Sequence, residues 1–117
     1  MKVSEIAGLR VGEYEGPLLS SERDALNVIG AAFGEGTAWI VIPAGCLAPD
    51  FFRLSTRIAG EFIQKFVNYG HRLAILGDIS AHVEKSDALR DFVRETNKGH
   101  QVWFLPNRED FEARLRS

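Results

Sequence analysis

Apolar and polar positions alternate at the start of the chain, then settle into a helical period, and the two patterns exchange places down to the C-terminus. Lys2 to Ile6 and Leu9 to Tyr14 read as short strands with apolar residues at alternate positions, Val3, Leu9 and Val11 among them. Ala7-Gly8 lies between them as a two-residue turn with a glycine tip, so the pair predicts a β-hairpin. Gly16-Pro17 breaks the chain. Ser21, with Asp24 three residues on, resembles a capping box with Asp in place of the usual Glu. Ala25, Leu26, Ile29, Ala32 and Phe33 follow at helical spacing, and Gly34 ends this first helix. Gly34-Glu35-Gly36 has the glycine spacing of half a phosphate loop, but it follows a helix and precedes a strand, the wrong order for holding a phosphate. It is read as a turn.

Trp39-Ile40-Val41-Ile42 is a continuous apolar run, as expected of a strand covered on both faces, and Pro43-Ala44-Gly45-Cys46 is the loop leaving it. Pro49 to Tyr69 predicts one long amphipathic helix with Pro at its first position and Asp50 against the positive end of the dipole. Its apolar stripe is Phe51, Ser55, Ile58, Ala59, Phe62, Ile63 and Phe66; Arg53, Arg57, Glu61, Gln64 and Asn68 form the other face. At about 1.5 Å per residue such a helix spans roughly 30 Å. Glu61 and Lys65 are placed for an i,i+4 ion pair worth about 0.3–0.5 kcal/mol. Gly60 should cost about 1 kcal/mol relative to Ala, which points to close approach of the helix to the sheet.

After Gly70, Arg72 to Leu76 reads as a central strand, and Gly77 to Lys85 as a polar connection. Ser86 is an N-cap for a third helix with the stripe Ala88, Leu89, Phe92 and Val93, stopped by Asn97-Lys98-Gly99. Val102 to Leu105 is the last strand. Asn107 with Asp110 caps a short final helix whose Phe111 and Leu115 face inward. The fold class is therefore α/β: a mixed five-stranded sheet with an N-terminal hairpin and about four helices, in the order ββαβαβαβα. Strands separated by helices should be parallel with right-handed crossovers.

A chain of 117 residues forms one domain, residues 1–117. A formal charge of -2 without a basic cluster argues against nucleic acid as a partner. No apolar run approaches the roughly 20 residues of a membrane helix, and no signal-peptide profile opens the chain, so the expectation is a cytoplasmic protein. A single cysteine, Cys46, excludes an internal disulfide and an all-cysteine metal site. No cofactor motif is present, and neither a cofactor nor a metal is expected.

The run Asp50-Phe51-Phe52-Arg53-Leu54-Ser55-Thr56, then Ala59-Gly60-Glu61, Gln64-Lys65-Phe66 and Asn68-Tyr69, resembles the signature of an uncharacterised bacterial family, domain of unknown function 4180. Leu73-Ala74-Ile75-Leu76-Gly77-Asp78, Leu89-Arg90-Asp91-Phe92 and Glu95-Thr96-Asn97-Lys98-Gly99 extend the resemblance over nearly the whole chain. It implies no activity. The element order is also similar to that of STAS-type domains, the fold of anti-sigma-factor antagonists, an analogy of fold that does not imply function. Those antagonists are phosphorylated on a serine where the helix after the third strand begins. Ala48-Pro49-Asp50-Phe51 stands there in this chain and offers no hydroxyl.

In an open α/β sheet, ligands bind at the carboxyl ends of parallel strands. That rule selects Asp50, Asp78, Ser80 and His82 as a candidate ligand or partner site, with Cys46 and Asn107 at the same edge. His71 and His100 fall at the opposite edge, so the three histidines do not make one metal site. An enzyme would pair Cys46 as nucleophile with His82 as base and Asp78 or Asp50 as orienter. Against this, Cys46 also fits a small buried hydrophobe, and Asp78 also fits a turn carboxylate bonded to its own loop. Arg72, Glu95 and Asn97 read as caps, ion pairs or ties between the third helix and its neighbours; Trp39 and Trp103 read as core. The function expected is a non-enzymatic regulatory or protein-interaction module, its partner another protein or a second copy. The candidate interaction face is Arg53, Arg57, Glu61 and Gln64. The alternative is a small-molecule-binding protein or minor hydrolase centred on Asp78.

Overall fold

In the computed structural model, which describes residues Met1–Ser117, five strands pair in the order in which they occur in the chain. Strands β1 (Lys2–Ile6) and β2 (Leu9–Glu13) form the antiparallel hairpin. Ala7 and Gly8 both take positive φ, 53° and 79°, as the tight two-residue turn requires. Strands β3 (Trp39–Pro43), β4 (Arg72–Leu76) and β5 (Val102–Leu105) then add one after another, each parallel to its predecessor. The helices are α1 (Glu22–Ala32), α2 (Ile58–Asn68), α3 (Ser80–Glu84), α4 (Asp87–Asn97) and α5 (Arg108–Arg116). The mixed five-stranded sheet and the ββαβαβαβα order agree with the sequence reading. The additional helix is α3, a five-residue element inside the segment expected to be a loop.

Alternation along the strands divides the interior in two. Ile40, Ile42, Leu73, Ile75, Val102 and Phe104 face one side and pack with α1, α2 and Leu89 of α4. Trp39, Val41, Ala74 and Trp103 face the other, where Phe111 of α5 closes over them. The Trp39 and Trp103 rings lie 4.3 Å apart, with Phe111 edge-on to both. Arg108, at the start of α5, reaches back across the chain to Glu13 of β2 at 3.2 Å.

The long helix expected from Pro49 to Tyr69 is not continuous. Pro49–Phe52 and Leu54–Thr56 are 3₁₀ turns, Arg57 adopts a left-handed φ of 67°, and the α-helix begins at Ile58. The cause is local competition for backbone groups. The Thr56 hydroxyl donates to the carbonyls of Asp50 and Arg53, and its oxygen accepts from the Ile58 N–H, offering that backbone a partner outside a helix. The break buries Phe51 and Phe52 together, which one helical face cannot do for adjacent residues. Gly60 is a second correction: a Cβ there meets nothing within 4 Å, so no close approach to the sheet explains the glycine. The buried small residue is Ala59 beside it. The expected Glu61–Lys65 pair also does not form. Gln64 donates to Asn68 instead, at 2.8 Å, and an exposed pair worth a few tenths of a kcal/mol gives way to such neighbours easily.

The caps follow the sequence. Asp24 accepts from the N–H groups of Ser20 and Ser21, Ser86 from Leu89, and Asn107 from Asp110. Two residues expected in the core with α1 lie outside, however: Leu26 is 40% exposed, and Phe33, past the last turn in extended backbone, 87%, while Val28 joins Ala25, Ile29 and Ala32 in the buried stripe.

Candidate functional site

The carboxyl ends of β3 and β4 are joined by a close contact. Gly77, directly after β4, has φ 149°, and a Cβ on it would lie 2.7 Å from the Ala44 Cβ. This pins the turn after β3 against the turn after β4 and leaves a cleft of about 200 Å³ beside it. Ala44, Gly45, Pro49, Phe52, Asp78 and His82 are among its walls. On the other side of Asp78 lies a second recess of about 240 Å³, with Ser80, Val83, Val93 and Phe104 in its lining. An open recess of about 490 Å³ runs from His82 past Arg53 and Ser55 to Lys85 and Ser86.

The four residues expected at this edge are only partly brought together. Asp78 and His82 share the first cleft; Asp78 and Ser80 share the second. Asp50 lines none of the three and forms a loose 3.6 Å pair with Arg53. Asp78 accepts from the Ser80 backbone N–H at 2.9 Å, and the Ser80 hydroxyl together with this N–H holds its carboxyl below the usual range. It is thus the turn carboxylate of its own loop. The His82 ring stacks on Phe52, with centroids 4.3 Å apart and planes 12° from parallel. Phe52 was not among the candidates, and adjacent phenylalanines at Phe51 and Phe52 were the signal for it.

Cys46 does not join His82. It closes the turn Ala44–Cys46, its side chain packs half-buried against the core, and its carbonyl accepts from Leu19. Cys46 instead neighbours Tyr14, whose hydroxyl is pushed up by burial first, then by the charges of Cys46 and Asp24. No group of three or more His, Cys, Asp or Glu side chains converges as a metal site would require. Arg53, Arg57, Glu61 and Gln64 do not form one helical face. The first two lie in the 3₁₀ connection, and only Glu61 and Gln64 stand on α2.

A matching family model spans residues 7–115, and its description is a domain of unknown function, DUF4180. The chain belongs to this family. DUF4180 membership covers the whole sheet except β1, together with all five helices up to Leu115, and it assigns no activity to the clefts above. No curated protein and no solved structure matches the chain. No helix is long and apolar enough to cross a membrane.

A different surface carries the exposed apolar residues. Where the C-terminal halves of α1 and α2 meet, Leu26, Ile29, Gly30, Phe33, Tyr69 and His71 line an open recess of about 600 Å³. Phe33 and Tyr69, 87% and 60% exposed, stand at its rim. The helical period at Leu26 and Phe33 was legible in the sequence. That Leu26 would face water was not, because Val28 satisfies the same core, nor that the helix would end at Ala32 and leave Phe33 in extended backbone.

Proposed function

We propose that the protein is a non-enzymatic interaction module that binds a partner protein through the apolar recess between α1 and the end of α2. The observation that carries this is the exposure of Phe33 and Tyr69 beside Leu26. Monomeric proteins rarely leave large aromatic residues clustered in water, and aromatic anchors dominate the energetics of interfaces. The rings project from the rim rather than line an enclosed cavity, which suits a protein surface closing over them better than a small ligand held inside. The carboxyl edge lends less support to the small-molecule or hydrolase reading. The clefts either side of Asp78 are smaller than the roughly 300–1,000 Å³ of ordinary ligand pockets, and Asp78 is engaged by Ser80. A cytoplasmic, bacterial setting and a STAS-like relationship belong to this proposal and rest on the sequence pattern and the element order.

The test replaces Phe33 and Tyr69 by serine, both exposed and therefore expected to leave folding intact. A partner recovered with the wild-type protein is purified and titrated calorimetrically. The double variant should bind it at least tenfold more weakly, while Glu61→Ala with Gln64→Ala should bind normally. Unchanged binding by the double variant would refute the surface. Light scattering that shows the wild type to be a dimer, and the double variant a monomer, would replace the partner protein by a second copy.

A further inference from the structure

At the amino edge of the sheet, opposite the clefts described above, lies a recess of about 330 Å³ whose chemistry differs from the rest of the surface. Its floor is Trp39 and Trp103, the tilted ring pair from the starts of β3 and β5, with Leu9 beside them. Three basic groups surround it: Arg72 at the start of β4, His100 in the turn before β5, and Arg114 near the end of α5. Leu115 and Ser117 complete the wall, and no Asp or Glu side chain lines it.

This is a local inversion of charge. The chain carries 16 acidic and 14 basic residues, and Arg10, Arg53, Arg90, Arg94, Lys98, Arg108 and Arg116 each have a carboxylate partner. Arg72 and Arg114 belong to the other seven, and of those they are the two that line this recess. Arg114 is fixed in place, its guanidinium 4.1 Å from the centre of the Trp103 ring, while one of its nitrogens donates to the carbonyls of Asn97 and Gly99. The Asn97 carbonyl ends α4 and that of Gly99 lies in the turn just after it, so part of the role of Arg114 is to cap that helix. Arg72 has no such occupation: it makes neither an ion pair nor a side-chain hydrogen bond, and it stands at the mouth of the recess. The Trp103 indole N–H is committed to the Gly99 carbonyl at 2.8 Å, so polar recognition falls to the cations and the aromatic floor offers apolar contact.

We propose that this recess binds a small organic anion, a phosphate or carboxylate group carried on an apolar body. The planar fork of Arg72 suits either oxyanion, the fixed charge of Arg114 adds to the local field, and the body lies against Leu9 and the tryptophan floor. The volume admits a ligand of roughly metabolite size. The site is independent of the apolar surface on α1 and α2 and stands or falls separately.

The experiment titrates the ¹⁵N-labelled protein with phenyl phosphate, hexanoate, inorganic phosphate and phenol, following the Trp103 indole N–H and the backbone amides. Phenyl phosphate, hexanoate or both should give saturable shifts confined to Trp103, Arg72, His100 and their neighbours. Saturation by only one of them identifies the anionic group. Phenol should not saturate, and inorganic phosphate should bind more weakly than phenyl phosphate. Arg72→Gln, on an exposed side chain, should weaken the organic anion at least tenfold without moving the thermal midpoint. Absence of saturable shifts with both organic anions, or equal affinity in Arg72→Gln, overturns the proposal. Inorganic phosphate binding as tightly as phenyl phosphate overturns the requirement for an apolar body.

Discussion

Asn97 should hold the free edge of the sheet closed, and removing its side chain should be costly out of proportion to its place on a surface helix. The carbonyls of Gln101, just before β5, and of Leu105, at its end, accept from Leu73 and Gly77, so the odd-numbered positions face β4. Phe104 lies between them and faces the other way, toward the open side of the last strand. Its N–H and C=O are both taken by Asn97: the side-chain oxygen accepts at 2.7 Å and the side-chain amide donates at 3.0 Å. The amide thus imitates one residue of a further strand. Two part-buried bonds at about 0.5–1.5 kcal/mol each place Asn97→Ala roughly 1–3 kcal/mol below wild type. At about 4 °C per kcal/mol for a chain of this size, the midpoint should fall by roughly 4–12 °C. Asn97→Asp is the sharper probe, because it keeps the acceptor but sets a carboxylate against the Phe104 carbonyl, and it should be no more stable than the alanine variant. Urea unfolding followed by circular dichroism measures the free energies, and hydrogen exchange at the Phe104 amide reports the bond directly. Exposed strand edges also recruit other edges, so self-association should rise with concentration in both variants. An alanine variant within 0.5 kcal/mol of wild type, with Phe104 protection intact, would refute the reasoning.

Further substitutions probe the neighbouring features. Gly77→Ala combines a positive φ with a 2.7 Å contact to Ala44 and should lose roughly 2–4 kcal/mol in denaturant titration, with the carboxyl-edge resonances displaced. Gly60→Ala should do the reverse, gaining about 0.5–1 kcal/mol in the same assay, because the added methyl meets open space on a helix. The Asp78 carboxyl, held low by Ser80, should titrate by NMR below an ordinary aspartate, and Ser80→Ala should return it upward. Since the folded pKa is the lower one, this bond stabilises the native state above the ordinary aspartate pKa of about 4, and the contribution vanishes as pH falls through the folded value.

Strands and caps were legible because their signals are local and mutually consistent. Trp39-Ile40-Val41-Ile42 is apolar on both faces because both faces are covered, and Ser86 and Asn107 cap their helices through side chains three residues away. The break before Ile58 was not legible from periodicity, because 3₁₀ turns keep apolar residues at nearly helical spacing. Its marks were the adjacent Phe51 and Phe52 and the hydroxyl of Thr56. The carboxyl edge was found from topology alone, yet which residues meet there depended on that break: with the helix starting only at Ile58, Asp50 pairs with Arg53 outside the clefts and Phe52 stacks on His82. The amino-edge recess left no trace in the linear pattern, since Arg72, His100 and Arg114 come from three separate elements.

The sequential order of the strands bears on how the chain is made. Every strand pairs with the one synthesised just before it, so a sheet can grow as the polypeptide leaves the ribosome, without waiting for a distant segment. The exception is α5, which covers Trp39 and Trp103 and whose Arg108 fastens onto Glu13 near the beginning. A nascent chain stalled before residue 108 would hold a paired sheet with one oily side still open, the form a chaperone should capture. Stalled chains that resist protease yet bind a hydrophobic dye, and that lose the dye once α5 emerges, are the expected signature.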